Sequence, residues 1–142
     1  MTPDIARFVH FFETLRSDSV VRLGQVYAPD VYFKDPFNEV HTLVQVQHIF
    51  SHMYVALDRP RFVVTGQVAE GRECFLTWNF EFHFRKHRPA LLQTIRGTSH
   101  LKFNDAGLVS YHRDYWDAAE ELYEKLPLLD SLMRWLKKRV NT

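Results

Sequence analysis

The chain has 142 residues, the size of one domain and enough to bury a core. Its hydrophobic content of 46% excludes a disordered chain. Its 18 basic and 17 acidic side chains nearly balance, which excludes a large net charge that would attract nucleic acid or a membrane to the whole protein. The single cysteine, Cys74, excludes an intramolecular disulfide framework. We therefore expect a cytoplasmic protein and interpret Cys74 as a small core residue.

Apolar residues at helical spacing predict three helices in the first part of the chain. The first covers residues 3 to 16, the second is shorter and stops before Ala28-Pro29, and the third covers residues 42 to 57 with Thr42 as its cap. A short strand, residues 31 to 35, lies between the second and third helices. The apolar positions of the two longer helices are Ile5, Phe8, Phe12 and Leu15, and Val46, Ile49, Phe50, Met53 and Leu57.

After Pro60 the period of the apolar residues changes to two, which predicts strands. In "TWNFEFHFR" four aromatic residues alternate with polar ones, the pattern of a half-buried strand. The predicted strands cover residues 61–70, the run just quoted, 91–103 and 108–116, with turns at Gly71, His87-Arg88-Pro89 and Asn104–Gly107. Helices followed by an antiparallel meander are typical of an α+β fold. We predict a curved antiparallel sheet wrapped around the N-terminal helices, forming a cone with an internal cavity.

A helical tail follows this domain, so we divide the chain into residues 1–117 and a C-terminal extension, residues 118–142. The tail is amphipathic and basic, and Pro127 interrupts it. We expect its apolar stripe to pack on the same domain or on a dimer partner. Contact with a membrane surface is the alternative.

The stretch "YFKDPFNEV" places a carboxylate, Asp35, where a strand ends before a proline. One interpretation is local, because a residue before proline is held extended and aspartate opens turns. The other is that Asp35 stands at the mouth of the cavity as a base or a polar anchor.

Three segments, "VYAPDVYFKDPF", "HLKFNDAG" and "YHRDYWD", resemble the SnoaL-like branch of the nuclear transport factor two superfamily, which includes ketosteroid isomerases. The resemblance covers residues 3 to about 117 and implies the cone fold (a cystatin-like α+β roll) with a homodimer formed through the outer face of the sheet. In ketosteroid isomerases the general base is an aspartate before a proline at the end of the first strand, a position that falls on Asp35. The two residues that donate hydrogen bonds to the oxyanion in these isomerases correspond in position to Phe11 and Ser99. Phe11 has no hydroxyl and Ser99 is a weaker donor, which argues against steroid isomerisation.

Strand parity gives a separate prediction for the last strand. His112, Asp114 and Trp116 share one face, and the resemblance places that face inside the cone. Asp35, Ser99, His112 and Asp114 would then form a polar cluster in an aromatic pocket. The aromatic residues of that predicted pocket are Phe11, Phe80 and Trp116.

Two interpretations of this cluster stay open. In the first, Asp35 moves a proton while His112 or Asp114 acts as the complementary acid. In the second, Asp114 and His112 satisfy each other and Asp35 accepts backbone hydrogens at its turn.

The sequence thus predicts a SnoaL-like protein that binds a small apolar molecule, with or without metal-independent acid–base catalysis of an isomerase, cyclase or hydrolase type. A non-catalytic ligand-binding or assembly module is the alternative. His48 and His52 have a spacing that suits a metal, but no third ligand is evident, so we expect no metal and no cofactor. The basic residues are scattered, so we expect no nucleic-acid partner.

Overall fold

The computed structural model describes residues 3–123. The helices are α1 (Pro3–Glu13), α2 (Leu43–Ala56) and α3 (Ala118–Tyr123), with a 3₁₀ segment at Ser17–Gln25. The strands are β1 (Tyr27–Lys34), β2 (Glu39–Val40), β3 (Leu57–Glu70), β4 (Glu73–Phe84), β5 (Gln93–Phe103) and β6 (Val109–Tyr115). Only the first six residues of the predicted tail, those of α3, are described, so the prediction for the rest of the tail falls outside the described residues. No helix within residues 3–123 is long and apolar enough to cross a membrane.

The six strands form one curved, unclosed sheet in the order β2-β1-β6-β5-β4-β3. Strands β3 to β6 pair as an antiparallel meander. The predicted α+β fold is confirmed, with one difference: β1 pairs with β6 in parallel. A parallel pair needs a long connection, and here most of the chain lies between the two strands.

The concave face of the sheet packs on α1 and α2. The alternation predicted in β4 is confirmed, because its four aromatic side chains are between 0% and 7% exposed; they are Trp78, Phe80, Phe82 and Phe84. The inward faces of the helices carry Ile5, Phe8 and Phe12, and Val46, Ile49, Phe50 and Met53. Thr42 caps α2, since its Oγ1 accepts a hydrogen bond from the Gln45 backbone at 3.2 Å.

The predicted second helix is a 3₁₀ segment, and the strand after it starts four residues earlier than expected, at Tyr27. The sequence pattern placed a boundary at Ala28-Pro29. The strand accommodates Pro29 because its ladder with β6 is interrupted between Tyr27 and Tyr32, so the missing N–H of the proline costs no hydrogen bond there.

Strand β3 likewise begins before the predicted boundary at Pro60. It is an edge strand, and its register with β4 shifts between Asp58 and Arg61, where Arg59 has a φ of 50°. A bulge on an edge strand admits a proline, which explains why the strand continues through it.

Candidate functional site

A cavity of about 70 Å³ lies between the helices and the concave face of the sheet. It is smaller than the roughly 300–1,000 Å³ of most ligand pockets. Six phenylalanines contribute to its wall: Phe8, Phe12, Phe33, Phe50, Phe62 and Phe80. Its ionisable and hydroxyl side chains are Asp35, Ser99, His112 and Asp114.

His112 and Asp114 form the centre of the polar wall. They are two residues apart on β6 and point to the same face, and His112 Nε2 lies 2.6 Å from Asp114 Oδ1. The His112 side chain is 5% exposed, while that of Asp114 is 17% exposed. The carboxylate therefore reaches solvent-accessible space, and the imidazole behind it does not.

Two further side chains of the sheet support this pair. Ser99 on β5 is the register partner of Asp114, and its Oγ donates to Asp114 Oδ1 at 2.5 Å. Trp78 on β4 donates from Nε1 to Ser99 Oγ at 2.9 Å. Ser99 therefore donates directly to Oδ1 of Asp114, and Trp78 supports Ser99 from behind. Within residues 3–123, Oδ2 of Asp114 accepts no hydrogen bond.

Tyr27 lies behind the imidazole, on the side away from Asp114. Its hydroxyl is 2.6 Å from His112 Nδ1, and its ring stacks on the imidazole with centroids 5.8 Å apart. Burial, and after it the negative charge of Asp114, raises the pKa of Tyr27 well above its ordinary value. The hydroxyl therefore stays protonated.

Asp35 ends β1 and organises the turn that follows. Its Oδ1 accepts the backbone N–H groups of Phe37 and Asn38, both at 2.8 Å, and the Asn38 side-chain amide at 3.0 Å. These contacts form an Asx turn, as the local interpretation predicts. The contacts expected if the cluster is structural, namely His112 with Asp114 and Asp35 with the backbone of its turn, are therefore all present.

Asp35, Asp114 and Trp116 lie at a neck, because they line both the cavity and an open depression of about 800 Å³ outside it. The depression also contains Lys34 and Arg113, so it is more polar than the cavity. A molecule entering from the depression would meet the two carboxylates before the phenylalanine wall.

The structure brings six of the seven predicted site residues to the cavity: Asp35, Phe80, Ser99, His112, Asp114 and Trp116. Phe11, the seventh, lines a separate surface depression with Arg7 and Thr14. Phe8 and Phe12 point inward from α1 instead. Successive helical residues are about 100° apart, so the neighbour of an inward residue lies on the flank.

Sequence reasoning missed Tyr27 and the indole N–H of Trp78. The pattern placed Tyr27 in a helix, and Trp78 was assigned only to the apolar face of its strand. A buried tyrosine or tryptophan usually finds a polar partner, which is the signal that could have drawn attention to both.

The model of the SnoaL-like domain family matches residues 8–112, more than half of the chain. The chain belongs to the SnoaL-like domain family. A comparison of the sequence with curated proteins gave no match. Within residues 3–123, this SnoaL-like domain has no group of three or more histidine, cysteine or acidic side chains that could hold a metal ion.

Solved structures similar to this SnoaL-like domain share its fold at low identity. A protein from Shewanella putrefaciens CN-32 described as a SnoaL-like polyketide cyclase has a TM-score of 0.73 at 15% identity, over 90% of this chain and 98% of that one. A protein from Catenulispora acidiphila with a ketosteroid isomerase-like fold, in complex with trimethylamine, has a TM-score of 0.71 at 12% identity, over 87% and 92%. An LEH-like epoxide hydrolase from M. tuberculosis has a TM-score of 0.68 at 12% identity, over 92% of both chains. These identities establish the fold alone.

Proposed function

We propose that this SnoaL-like domain is a metal-independent acid–base enzyme that acts on a compact, largely apolar molecule bound in the cavity. The observation that carries the proposal is that Oδ2 of Asp114 accepts no hydrogen bond within residues 3–123, while the other oxygen of this carboxylate is held by Ser99 and His112. A carboxylate oriented in this way, at the rim of an apolar cavity, can accept a proton from a bound substrate or from a water molecule.

The structure favours Asp114 over Asp35 as the base. Three N–H donors converge on one oxygen of Asp35, and two of them are backbone groups that set the turn. Oδ2 of Asp35 accepts from the same Asn38 amide at 3.2 Å, so a proton placed on that oxygen would displace a donor of the turn. Asp114 can accept a proton on Oδ2 while its two donors stay in place on Oδ1.

The roles of the other residues follow from their contacts. His112 and Ser99 orient Asp114, and the phenylalanine wall excludes water from the apolar part of the substrate. Within residues 3–123, no side-chain donor in the cavity is free to stabilise an oxyanion, because Ser99, His112 and Trp78 all donate within the cluster. This favours a proton transfer that builds little negative charge on a substrate oxygen, such as activation of water.

A non-catalytic binding module is the second candidate. The small cavity favours it, since 70 Å³ leaves little room for a substrate together with a water molecule. The complex of the Catenulispora acidiphila protein with trimethylamine supports it as well, because that ligand is compact.

The test compares two isosteric variants, Asp114→Asn and Asp35→Asn, on three small probes. These are cyclopentanone for α-proton exchange in D₂O, cyclopentene oxide for hydrolysis, and γ-butyrolactone for hydrolysis, each followed by NMR. We expect the wild type to turn over at least one probe. Asp114→Asn should lower that rate by about a hundred- to ten-thousand-fold, the usual worth of a general base. Its melting temperature should change little, because an amide oxygen still accepts from Ser99 and His112.

Asp35→Asn is the matched control. Asparagine also opens turns, so we expect a modest loss of stability and turnover within a few-fold of the wild type. Loss of turnover in Asp35→Asn alone would make Asp35 the base. Binding of the probes without turnover by the wild type would favour the binding module.

A further inference from the structure

Tyr27 contacts the polar cluster from behind and is not among the residues that line the cavity. It is 0% exposed and lies 85 positions from His112 in the sequence. A buried tyrosine of this kind can be a core residue that happens to find an acceptor. The hydrogen bonds on the other side of the imidazole bear on whether it has a further role.

The partners of His112 on its two sides favour a proton on the same nitrogen. The Asp114 carboxylate can only accept, so the nitrogen 2.6 Å from its Oδ1 must donate, and that nitrogen is Nε2. In a neutral imidazole the other nitrogen, Nδ1, is then an acceptor. Tyr27 supplies the matching donor at 2.6 Å.

The opposite arrangement would leave groups without partners. A proton on Nδ1 would point at the Tyr27 oxygen, and the tyrosine hydrogen would need a second acceptor. Within residues 3–123 the Tyr27 hydroxyl has no other hydrogen-bond partner. A buried donor without an acceptor is unfavourable, so the hydroxyl adds to the preference for the Nε2–H tautomer that Asp114 sets from the other side.

We infer that Tyr27 is a positioning residue, whose hydroxyl holds His112 in the tautomer that keeps Asp114 oriented toward the cavity. The inference rests on the proposed function, since orientation of Asp114 matters for rate only if Asp114 is the base. Tyr27 acts through His112 and does not touch a bound molecule. It should therefore affect the chemical step and leave substrate binding unchanged.

The first measurement needs no substrate and uses the wild-type protein. Long-range ¹H–¹⁵N correlation spectra of the ¹⁵N-labelled protein report which imidazole nitrogen carries the proton, with the His112 signals assigned through the backbone. We expect the Nε2–H tautomer. An Nδ1–H tautomer in the wild type would overturn the inference, even if every variant failed to fold.

The second measurement uses Tyr27→Phe, which removes only the hydroxyl. We expect the His112 signals to shift part of the way toward the Nδ1–H tautomer, because Asp114 alone then favours the Nε2–H form. On whichever of the three probes the wild type turns over, kcat should fall about tenfold, the effect of losing about one hydrogen bond, with KM unchanged. A tyrosine with a purely structural role would lower the melting temperature and leave kcat as it was.

Tyr54→Phe is the matched control, because it removes another buried tyrosine hydroxyl. The Tyr54 hydroxyl has no hydrogen-bond partner within residues 3–123, and the residue does not line the cavity. The control should leave both the His112 tautomer and kcat unchanged. An unchanged tautomer in Tyr27→Phe, or an equal fall of kcat in both variants, would refute the inference.

The two proposals fail in different ways. If the wild type turns over no probe while Tyr27→Phe changes the tautomer, the enzymatic proposal fails and the tautomer assignment is upheld. If Asp114→Asn abolishes turnover while Tyr27→Phe changes neither tautomer nor kcat, the enzymatic proposal is supported and Tyr27 has only a structural role.

Discussion

Gly97 on β5 has a specific packing role, because it lies directly beneath the indole of Trp78 on β4. The two residues are register partners across the antiparallel pair. A Cβ added at Gly97 would lie 2.3, 2.6 and 2.8 Å from the Cη2, Cζ2 and Cζ3 atoms of Trp78. Carbon atoms in favourable contact are about 3.5–4.0 Å apart, so Gly97→Ala requires the indole to move by more than about 1 Å.

The expected loss of stability combines two effects. Overpacking of a core costs about 1–3 kcal/mol. Movement of the indole also breaks the 2.9 Å bond from Trp78 Nε1 to Ser99, which leaves a buried donor at a further cost of about 1–3 kcal/mol. Alanine restricts the unfolded chain more than glycine does, and this stabilises the folded protein by about 0.4–1 kcal/mol, which offsets part of the loss. Together these effects give a net decrease of about 1–6 kcal/mol in the free energy of unfolding, with a midpoint of about 3 kcal/mol.

Urea denaturation followed by tryptophan fluorescence measures this decrease. Gly66→Ala is the control on β3, since its added Cβ would approach only the Thr77 hydroxyl, at 3.0 Å, and should change stability by less than about 1 kcal/mol. Gly97→Ala should also reduce turnover, because Trp78 supports Ser99 and through it Asp114. If both alanine variants were equally stable, the close packing of Trp78 over Gly97 would be refuted.

Two further predictions concern parts of the molecule outside the cavity. Cys74 is 1% exposed, and burial raises its pKa to about 11, so the native protein at pH 8 should react with a thiol reagent only after denaturant is added. An unfolded thiol ionises near pH 8.5, before the buried thiol of the native protein does. The contribution of Cys74 to the free energy of unfolding should therefore be lost as the pH rises from about 8.5 to 11. If the difference in unfolding free energy between the wild type and Cys74→Ala did not change with pH in that range, this prediction would be contradicted. We also propose that the expected homodimer forms through the outer face of the sheet, where Val68 is 73% and Phe75 is 43% exposed. Phe75→Lys should then weaken association in light scattering, and a wild type that is monomeric at tens of micromolar would rule the dimer out.

Local patterns in the sequence were sufficient for the two long helices and the long strands, and for their inward faces, but not for the 3₁₀ segment or for β2. The alternation in β4 and the spacing in α1 predicted which side chains are buried, because the periods of two and 3.6 residues follow from backbone geometry alone. The parity of β6 predicted in the same way that His112 and Asp114 share a face. Boundaries at prolines were predicted less well, because Pro29 and Pro60 lie in strands where an interrupted ladder or a bulge accommodates them.

Assignment of roles within the site needed the tertiary structure. Asp35 and Asp114 are both carboxylates on the predicted inner side, and only their partners distinguish them: backbone N–H groups at a turn for Asp35, and side chains of two strands for Asp114. Phe11 was placed by resemblance, and the phase of α1 decides that Phe8 and Phe12 face inward in its place.

The contact between Tyr27 and His112 shows the same limit of the sequence most directly. The sequence by itself determined which face of β6 His112 occupies, but its pattern placed Tyr27 in a helix and not in β1. It did not determine that the two side chains meet, because they are 85 positions apart and nothing local to either one specifies the other. Only the parallel pairing of β1 with β6, with the register that the sheet as a whole imposes, places the tyrosine hydroxyl against the imidazole.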